Sequence, residues 1–290
     1  MRLAPSLHRL GEETVACYLL EEAGEVTIID AGVPSYYADL TAELAAMGRT
    51  IEDVRALVLT HGHSDHIGFA ERLRADHDVP VSIHELDVAL ARGEVGNPSA
   101  GMGERRLGSL LRYLLWLARH GGMRVKSLTE VSTFDPGTTL DVPGALRVIH
   151  VPGHTPGSVA FHAPAHDALF VGDALATHAV VTERRGPQIV PFSADPDEAL
   201  ASLVNIEQLE AHLLLPGHGS PWTEGVAAAV AAARDAGIGH LARPRRGSGA
   251  QGHATKPMTR RDRPASSSST KSVPMRPGSS PSQRRQPSRM

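Results

Sequence analysis

The sequence predicts an α+β protein built from two sheets with helices on their outer faces, followed by a tail that does not fold with it. Two observations carry this. Through the first 240 residues, short apolar runs bounded by turn residues alternate with stretches of helical spacing. Strand-rich halves separated by helical stretches suit two packed sheets with helices outside. After that point the apolar periodicity stops and Ser, Pro, Gly and Arg dominate, as in RPASSSST and RPGSSPSQRRQPSRM. The domain is therefore expected over residues 1–240. Residues 241–290 are expected to form a disordered basic tail, because their composition cannot bury enough apolar surface to offset the entropy of ordering.

In chain order, TVACYLLE and EVTIID read as adjacent strands with Glu22-Ala23-Gly24 as their turn. Pro34 opens a helical stretch that runs to Met47, where Gly48 stops it. RALVLT is a continuous apolar run, as for a strand buried on both faces. IGFAERLRADH resumes helical spacing, and VPVSIH is again a strand. From Gly103 to His120, Leu107, Leu110, Leu111, Leu114, Leu115 and Ala118 fall near one face, with arginines elsewhere. That pattern predicts a helix packed on the body or lidding a cleft. TLDV, ALRVIHV, SVAFHA and ALFVGD read as strands. DPDEALASLVNIEQLE reads as a helix with Asp195 as N-cap and Pro196 in its first turn. HLLLPG is a short strand, and PWTEGVAAAVAAARDAG a final helix.

The net charge of −3 conceals an asymmetry. Residues 241–290 hold 12 Lys and Arg against one acid, Asp262, which leaves 17 basic and 31 acidic residues in the body, a net of −14. An acidic body disfavours a polyanionic substrate, although the tail keeps a weak attraction to nucleic acid open. The single cysteine, Cys17, sits in a strand and reads as a buried structural thiol. No apolar run suits a secretory signal or a spanning helix, so a cytoplasmic protein without membrane partners is expected. Oligomeric state is not legible.

The chemistry concentrates in LVLTHGHSDHIGF. His61, His63, Asp65 and His66 occupy six positions directly after an apolar strand. His154 in VPGHTPGS, Asp173 in LFVGDAL and His218 in LLLPGHG likewise follow apolar strands. Strand-end loops are where a scaffold presents chemistry. Imidazole and carboxylate suit zinc, iron and manganese. A catalytic ion needs about three protein ligands plus water, so seven donors suffice for two ions if one carboxylate bridges. One histidine alone would read as a surface or core residue; H-x-H-x-D-H with three further strand-end donors reads as a metal centre.

THGHSDHIG, PGHTPGS, GDAL and PGHG, in that order, resemble the metallo-β-lactamase-fold superfamily of metal-dependent hydrolases. The resemblance spans residues 10–240 or so, including IIDAG at Asp30, and leaves the tail uncovered. It implies an αβ/βα four-layer sandwich with the metals at one edge between the sheets. It assigns His61, His63 and His154 to one ion and Asp65, His66 and His218 to the other, with Asp173 bridging. Asp65 and Asp173 thereby take catalytic as well as ligand roles. Two divalent cations are expected, zinc foremost, with iron or manganese as alternatives. Asp30 would support the site from behind its ligands, or serve as a turn cap.

The expected reaction is attack by a metal-bridging hydroxide on an ester, lactone or thioester of small-molecule size. The rivals are a persulfide dioxygenase with a single iron and a nucleic-acid-processing phosphodiesterase of the same fold. No G-x-S-x-G or phosphate loop occurs, and His84-Glu85 fails H-E-x-x-H because Val88 stands where the second histidine belongs. The loop THAVVTERRGPQIVPF after Asp173 is a candidate pocket wall. There Arg184 and Arg185 either bind an anionic substrate group or face solvent, and His84, His150 and His178 either reach the pocket or are structural.

Deleting residues 242–290 should leave metal content, melting temperature and turnover nearly unchanged, since all seven donors precede the tail and it carries few large apolar residues to dock. A matched full-length and truncated pair tests this. A melting temperature lower by more than a few degrees, or lost metal, would place part of the tail inside the fold.

Overall fold

A computed structural model of the chain describes residues 1–97 and 106–238. The expected tail, and the start of the helix expected from Gly103, lie outside these residues. A seven-stranded sheet runs in chain order through β1 (Arg2–Ala4), β2 (Leu7–Gly11), β3 (Ala16–Glu22), β4 (Glu25–Ile29), β5 (Val54–Val58), β6 (Val81–His84) and β7 (Ser132–Phe134). Its first four strands pair antiparallel and the rest parallel. The helices α1 (Tyr36–Ala46), α2 (Ala70–His77), α3 (Val88–Ala91) and α4 (Leu107–Arg119) fall within this half of the sequence.

The second half builds a four-stranded sheet from β8 (Arg147–His150), β9 (Val159–Ala163), β10 (Ala168–Gly172) and β13 (Leu213–Pro216), in the order β13-β10-β9-β8. Between β10 and β13 come a hairpin of β11 (Ala176–Ala179) and β12 (Arg184–Gln188), then α5 (Pro196–Ser202). The helix α6 (Val226–Ala236) closes the described chain.

The strands' two-residue side-chain period sorts the core into layers. On β3, Ala16, Tyr18 and Leu20 point between the sheets, while Cys17 and Leu19 point to the outer core with α1 and α2. On β10, Ala168 and Phe170 face the inter-sheet core, while Leu169 and Val171 face a third core with α5 and α6. Strands buried on both faces need no polar alternation, which is why RALVLT and ALFVG read as unbroken apolar runs. The result is helix, sheet, sheet, helix: the expected four-layer sandwich.

The pairing registers place the chemistry. Parallel partners end at one edge, so Ile29 opposite Val58 brings Asp30 beside the chain leading into His61. Gly172 opposite Pro216 likewise brings Asp173 beside the chain leading into His218. Gly68 locks the first of these loops. Its N–H donates to the Gly32 carbonyl, and a Cβ there would come within 2.4 Å of Val33 backbone.

Four expectations change. Thr139–Val142 is no strand; Thr139 makes one isolated bridge to Arg147, and Leu140 and Val142 pack from a loop. The helix beginning at Asp195, whose side chain does cap it by accepting from the Glu198 N–H, ends at Ser202 and tightens into a 3₁₀ turn over Leu203–Asn205. The strands β1, β2 and β7 and the β11–β12 hairpin carry no strand signal of their own. On α4 the leucine stripe faces outward, with Leu107 78% and Leu111 57% exposed, while Tyr113, Trp116 and Leu117 turn inward. Among the described residues no helix is long and apolar enough to cross a membrane.

Candidate metal centre

All seven donors converge. His61, His63 and His154 form one trio and Asp65, His66 and His218 a second, and within each trio the ligand atoms lie within 4.8 Å of one another. His61, His66 and Asp173 form a third trio that overlaps both, which puts the Asp173 carboxylate between the two groups. Its Oδ1 lies 3.4 Å from His66 Nε2, and its Oδ2 lies 3.4 Å from His154 Nε2 and 3.0 Å from His218 Nε2. Asp65 is partly buried and the other six are buried.

Hydrogen-bond partners on the neighbouring elements, three side chains and one backbone carbonyl, decide which ring nitrogen faces inward. His66 Nδ1 donates to Asp30 Oδ2 (3.0 Å), and His61 Nδ1 to Thr60 Oγ1 (3.0 Å), whose own proton goes to Asp30. His218 Nδ1 donates to the Thr14 carbonyl, and His154 Nδ1 to Ser193 Oγ, which in turn donates to the Val190 carbonyl. Each Nδ1 is thus occupied, and each Nε2 carries its lone pair towards the cluster, the arrangement metal-ligating histidines adopt. His63 turns the other way, its Nδ1 2.8 Å from His154 Nε2. Buried polar atoms are normally satisfied, yet Nε2 of His61 and His66 and Oδ1 of Asp173 have no hydrogen-bond partner. This donor set, imidazoles and carboxylates with unpartnered atoms facing inward, fits divalent cations, which would displace any proton held there.

Charge divides the cluster in two. Burial holds His61 well below the ordinary histidine value and, with His63 alongside, takes His154 down to about 3. Burial also lowers His63. Burial would lower His66 too, but Asp173, Asp30 and Asp65 outweigh it and raise the group to about 10. His218 rises in the same way, burial being outweighed by Asp173. Against burial, the imidazoles hold Asp65 below and Asp173 well below the usual carboxylate range.

Residues that no motif marks hold these donors. Asp87 is fully buried. Its Oδ2 accepts from the Gly62 N–H (2.9 Å) and Thr155 Oγ1 (2.6 Å), and its Oδ1 from the Gly157 N–H (2.8 Å), tying the His61–His63 loop to the His154 loop. Arg9 is 5% exposed and donates to the Gly219 carbonyl, next to His218. The Tyr113 hydroxyl donates to Asp65 Oδ2 at 2.9 Å. Burial and Asp65 raise it well above the ordinary phenol value, so it stays a donor. Asp30, at φ 62°, accepts from the Thr60 N–H and hydroxyl at the end of the neighbouring strand and from His66, which is the supporting role and not a cap on its own turn. The sequence holds faint signals at most: one of two acids in HELDVAL and one tyrosine inside a leucine stripe.

The cluster floors a cavity of about 230 Å³. The loop after Asp173 does form its wall, through His178, Ala179, Val180, Val181, Val190, Pro191 and Phe192, with Tyr113 and Leu117 of α4 opposite the metal-binding residues. Arg184 and Arg185 do not line it; Arg184 is exposed, and Arg185 pairs with Glu13 at 2.7 Å. His84 and His150 stack on each other with ring centres 4.7 Å apart, away from the cavity lining.

Fold and site together define a metal-dependent hydrolase. The chain belongs to the metallo-beta-lactamase superfamily, whose family model matches residues 10–218. It is 27% identical over 233 residues to the probable metallo-hydrolase YflN of Bacillus subtilis, covering 76% of this chain and 86% of that one. It is 29% identical over 206 residues to the probable metallo-hydrolase YybB of the same organism, covering 71% and 80%. Among solved structures it resembles a metallo-beta-lactamase family protein of Thermus thermophilus, TTHA1429, with TM-score 0.58, 25% identity and coverage of 79% and 78%. It also resembles TTHA1623, solved in a di-iron-bound form, with TM-score 0.52, 29% identity and coverage of 74% and 93%.

Two expectations follow. Asp87→Ala should weaken metal binding about 10–100-fold, the usual loss when the support behind a ligand goes; Asp87→Asn, which keeps an acceptor, should lose less. Competition against a chromophoric chelator measures both, and an unchanged affinity in the alanine variant would deny Asp87 this role. The second concerns pH. A raised histidine contributes stability that is complete below its unfolded value near 6.5 and is lost as pH climbs through its folded value, about 10 for His66. A lowered histidine such as His154 acts oppositely, and its contribution fades as pH falls from 6.5 towards about 3. Chelator-treated protein should therefore melt highest near neutrality and lower on either side. Excess zinc should flatten the alkaline limb; a melting temperature flat from pH 7 to 10 without metal would contradict this.

Proposed function

We propose that the chain is a dinuclear hydrolase that cleaves a carboxylic ester, lactone or thioester of a small molecule. The observation that carries this reading is the pair of complete donor trios with Asp173 between them. Two divalent ions there would supply hydroxide near neutral pH and polarise the scissile carbonyl. In the net reaction one water is consumed. Its oxygen bonds to the carbonyl carbon, the acyl C–O or C–S bond breaks, and the leaving alkoxide or thiolate takes up a proton.

The chain's own groups prepare that step. Asp30 and Thr60 fix the rings of His66 and His61, and Tyr113 fixes one oxygen of Asp65. Side chains of α4 and of the hairpin line the cavity beside these donors. A single-iron dioxygenase would leave the Asp65, His66 and His218 trio without a task. A phosphodiesterase would be expected to meet its phosphate with cationic side chains, and among the described residues no Lys or Arg lines the cavity.

The test joins metal analysis to a panel of esters, lactones, thioesters, phosphodiesters and persulfides. About two ions per chain and turnover of a carboxylic substrate are expected. Asp173→Ala should abolish turnover, whereas Asp30→Ala should lose about 10–100-fold. One ion per chain after reconstitution with excess zinc, manganese or iron would overturn the dinuclear reading, and oxygen uptake with a persulfide would replace it.

A further inference from the structure

The cavity has an apolar wall, part of which is buried in the fold and part of which, Phe192, Val180 and Tyr113, is only half-buried. Of the five phenylalanines, Phe69, Phe134, Phe161 and Phe170 belong to the hydrophobic cores; Phe192 belongs to none and is half-buried against the cavity. Val180, Val181, Val190 and Tyr113 also line the cavity and belong to no core cluster. Leu117 alone among the larger apolar wall residues also packs against a core. Of these, the half-buried Phe192, Val180 and Tyr113 keep apolar faces that a ligand would remove from water, whereas Val181 and Val190 are already buried and shape the wall behind them.

The backbone supports the same reading. Phe192 has φ 70°, in the left-handed region that bulky side chains avoid. Such conformations persist where the surroundings over-determine them, and they cluster at ligand sites. Here the next residue, Ser193, orients His154, so one bend sets a ring at the cavity and a hydroxyl behind a metal-binding histidine. Charge narrows the ligand. Arg112 and Arg185, beside wall residues in space or sequence, are engaged by Glu183 and Glu13. Among the described residues no Lys or Arg lines the cavity, so an anionic group on the ligand would find no cationic partner in the wall they form.

We propose that this wall is an acyl-binding surface, that the substrate presents to it an uncharged hydrocarbon group, and that Phe192 is a specificity-determining residue. The identity of the scissile bond rests on the hydrolase reading above; recognition of the hydrocarbon does not.

The experiment uses the full-length zinc-loaded protein and two non-hydrolysable neutral ligands, 2-octanone and 8-hydroxyoctan-2-one, with affinities read by ligand-observed NMR. The ketone with the methyl end should bind at least about tenfold tighter, as burial of an apolar rather than a hydroxylated terminus requires. In Phe192→Gly, which accepts φ 70° without strain, that preference should fall to about threefold or less with zinc content unchanged. Phe192→Leu, which keeps an apolar side chain, should restore most of it. Equal affinities for the two ligands in the parent protein, or an undiminished preference in Phe192→Gly, would overturn the proposal. A preserved preference without turnover of any ester, lactone or thioester would instead overturn the hydrolase reading and leave the acyl surface standing.

Discussion

Five imidazoles and two carboxylates are packed at one sheet edge, six of the seven buried, and the rest of the structure answers to the cost of keeping them there. Burying such groups without partners is expensive. The chain reduces the cost by satisfying one nitrogen of most rings from outside the cluster. Asp30, Thr60, Thr14 and Ser193 accept those protons. The remaining lone pairs point inward, and the cost of leaving them there is recovered when cations enter. Metal binding is in this sense part of folding.

That requirement explains why the loops are cross-braced. The strand registers bring four loops to one edge, but a sheet edge alone positions backbone only to the tolerance of its loops. Asp87 removes that tolerance by collecting two backbone N–H groups and a hydroxyl from the two histidine loops of the first trio. Arg9 does similar work for the His218 loop from the opposite side. A buried carboxylate that accepts three hydrogen bonds is satisfied without a cation, so Asp87 adds rigidity without needing an ion of its own.

The candidate ligands are legible in the sequence because their signal is local. Each follows an apolar strand, and strand-end histidines next to glycine carry their meaning within a few residues. The braces are not, because their meaning is spatial: Asp87 acts on Gly62 and Gly157, and Tyr113 on Asp65, across separations that no periodicity records. The leucine stripe of α4 is helical, as its spacing predicts, but faces outward, because periodicity marks an apolar face without saying which face docks. The aromatic side decides it, since Tyr113 reaches Asp65 and Trp116 reaches Glu12. The hairpin after Asp173 is hidden because THAVVTERRGPQ has no clean two-residue alternation. Its pairing is set by Ala176 opposite Gln188 and by a turn around Glu183 at φ 60°.

The division of labour that results separates chemistry from selection. Every donor sits on loops leaving the two sheets, whereas the apolar wall comes from α4, the hairpin and the bend at Phe192, which lie outside the strand framework. The two sets meet at Tyr113, shared between wall and Asp65, at Ser193, one residue from Phe192 and hydrogen-bonded to His154, and at Thr177 of the hairpin, whose N–H donates to the His218 carbonyl. Replacement of a wall residue away from those points alters what the cavity accepts while the donors keep their geometry. Replacement at Tyr113 or Ser193 moves selection and metal geometry together. Those side chains, beside the donors that floor the cavity, are where selection and metal geometry are tied together.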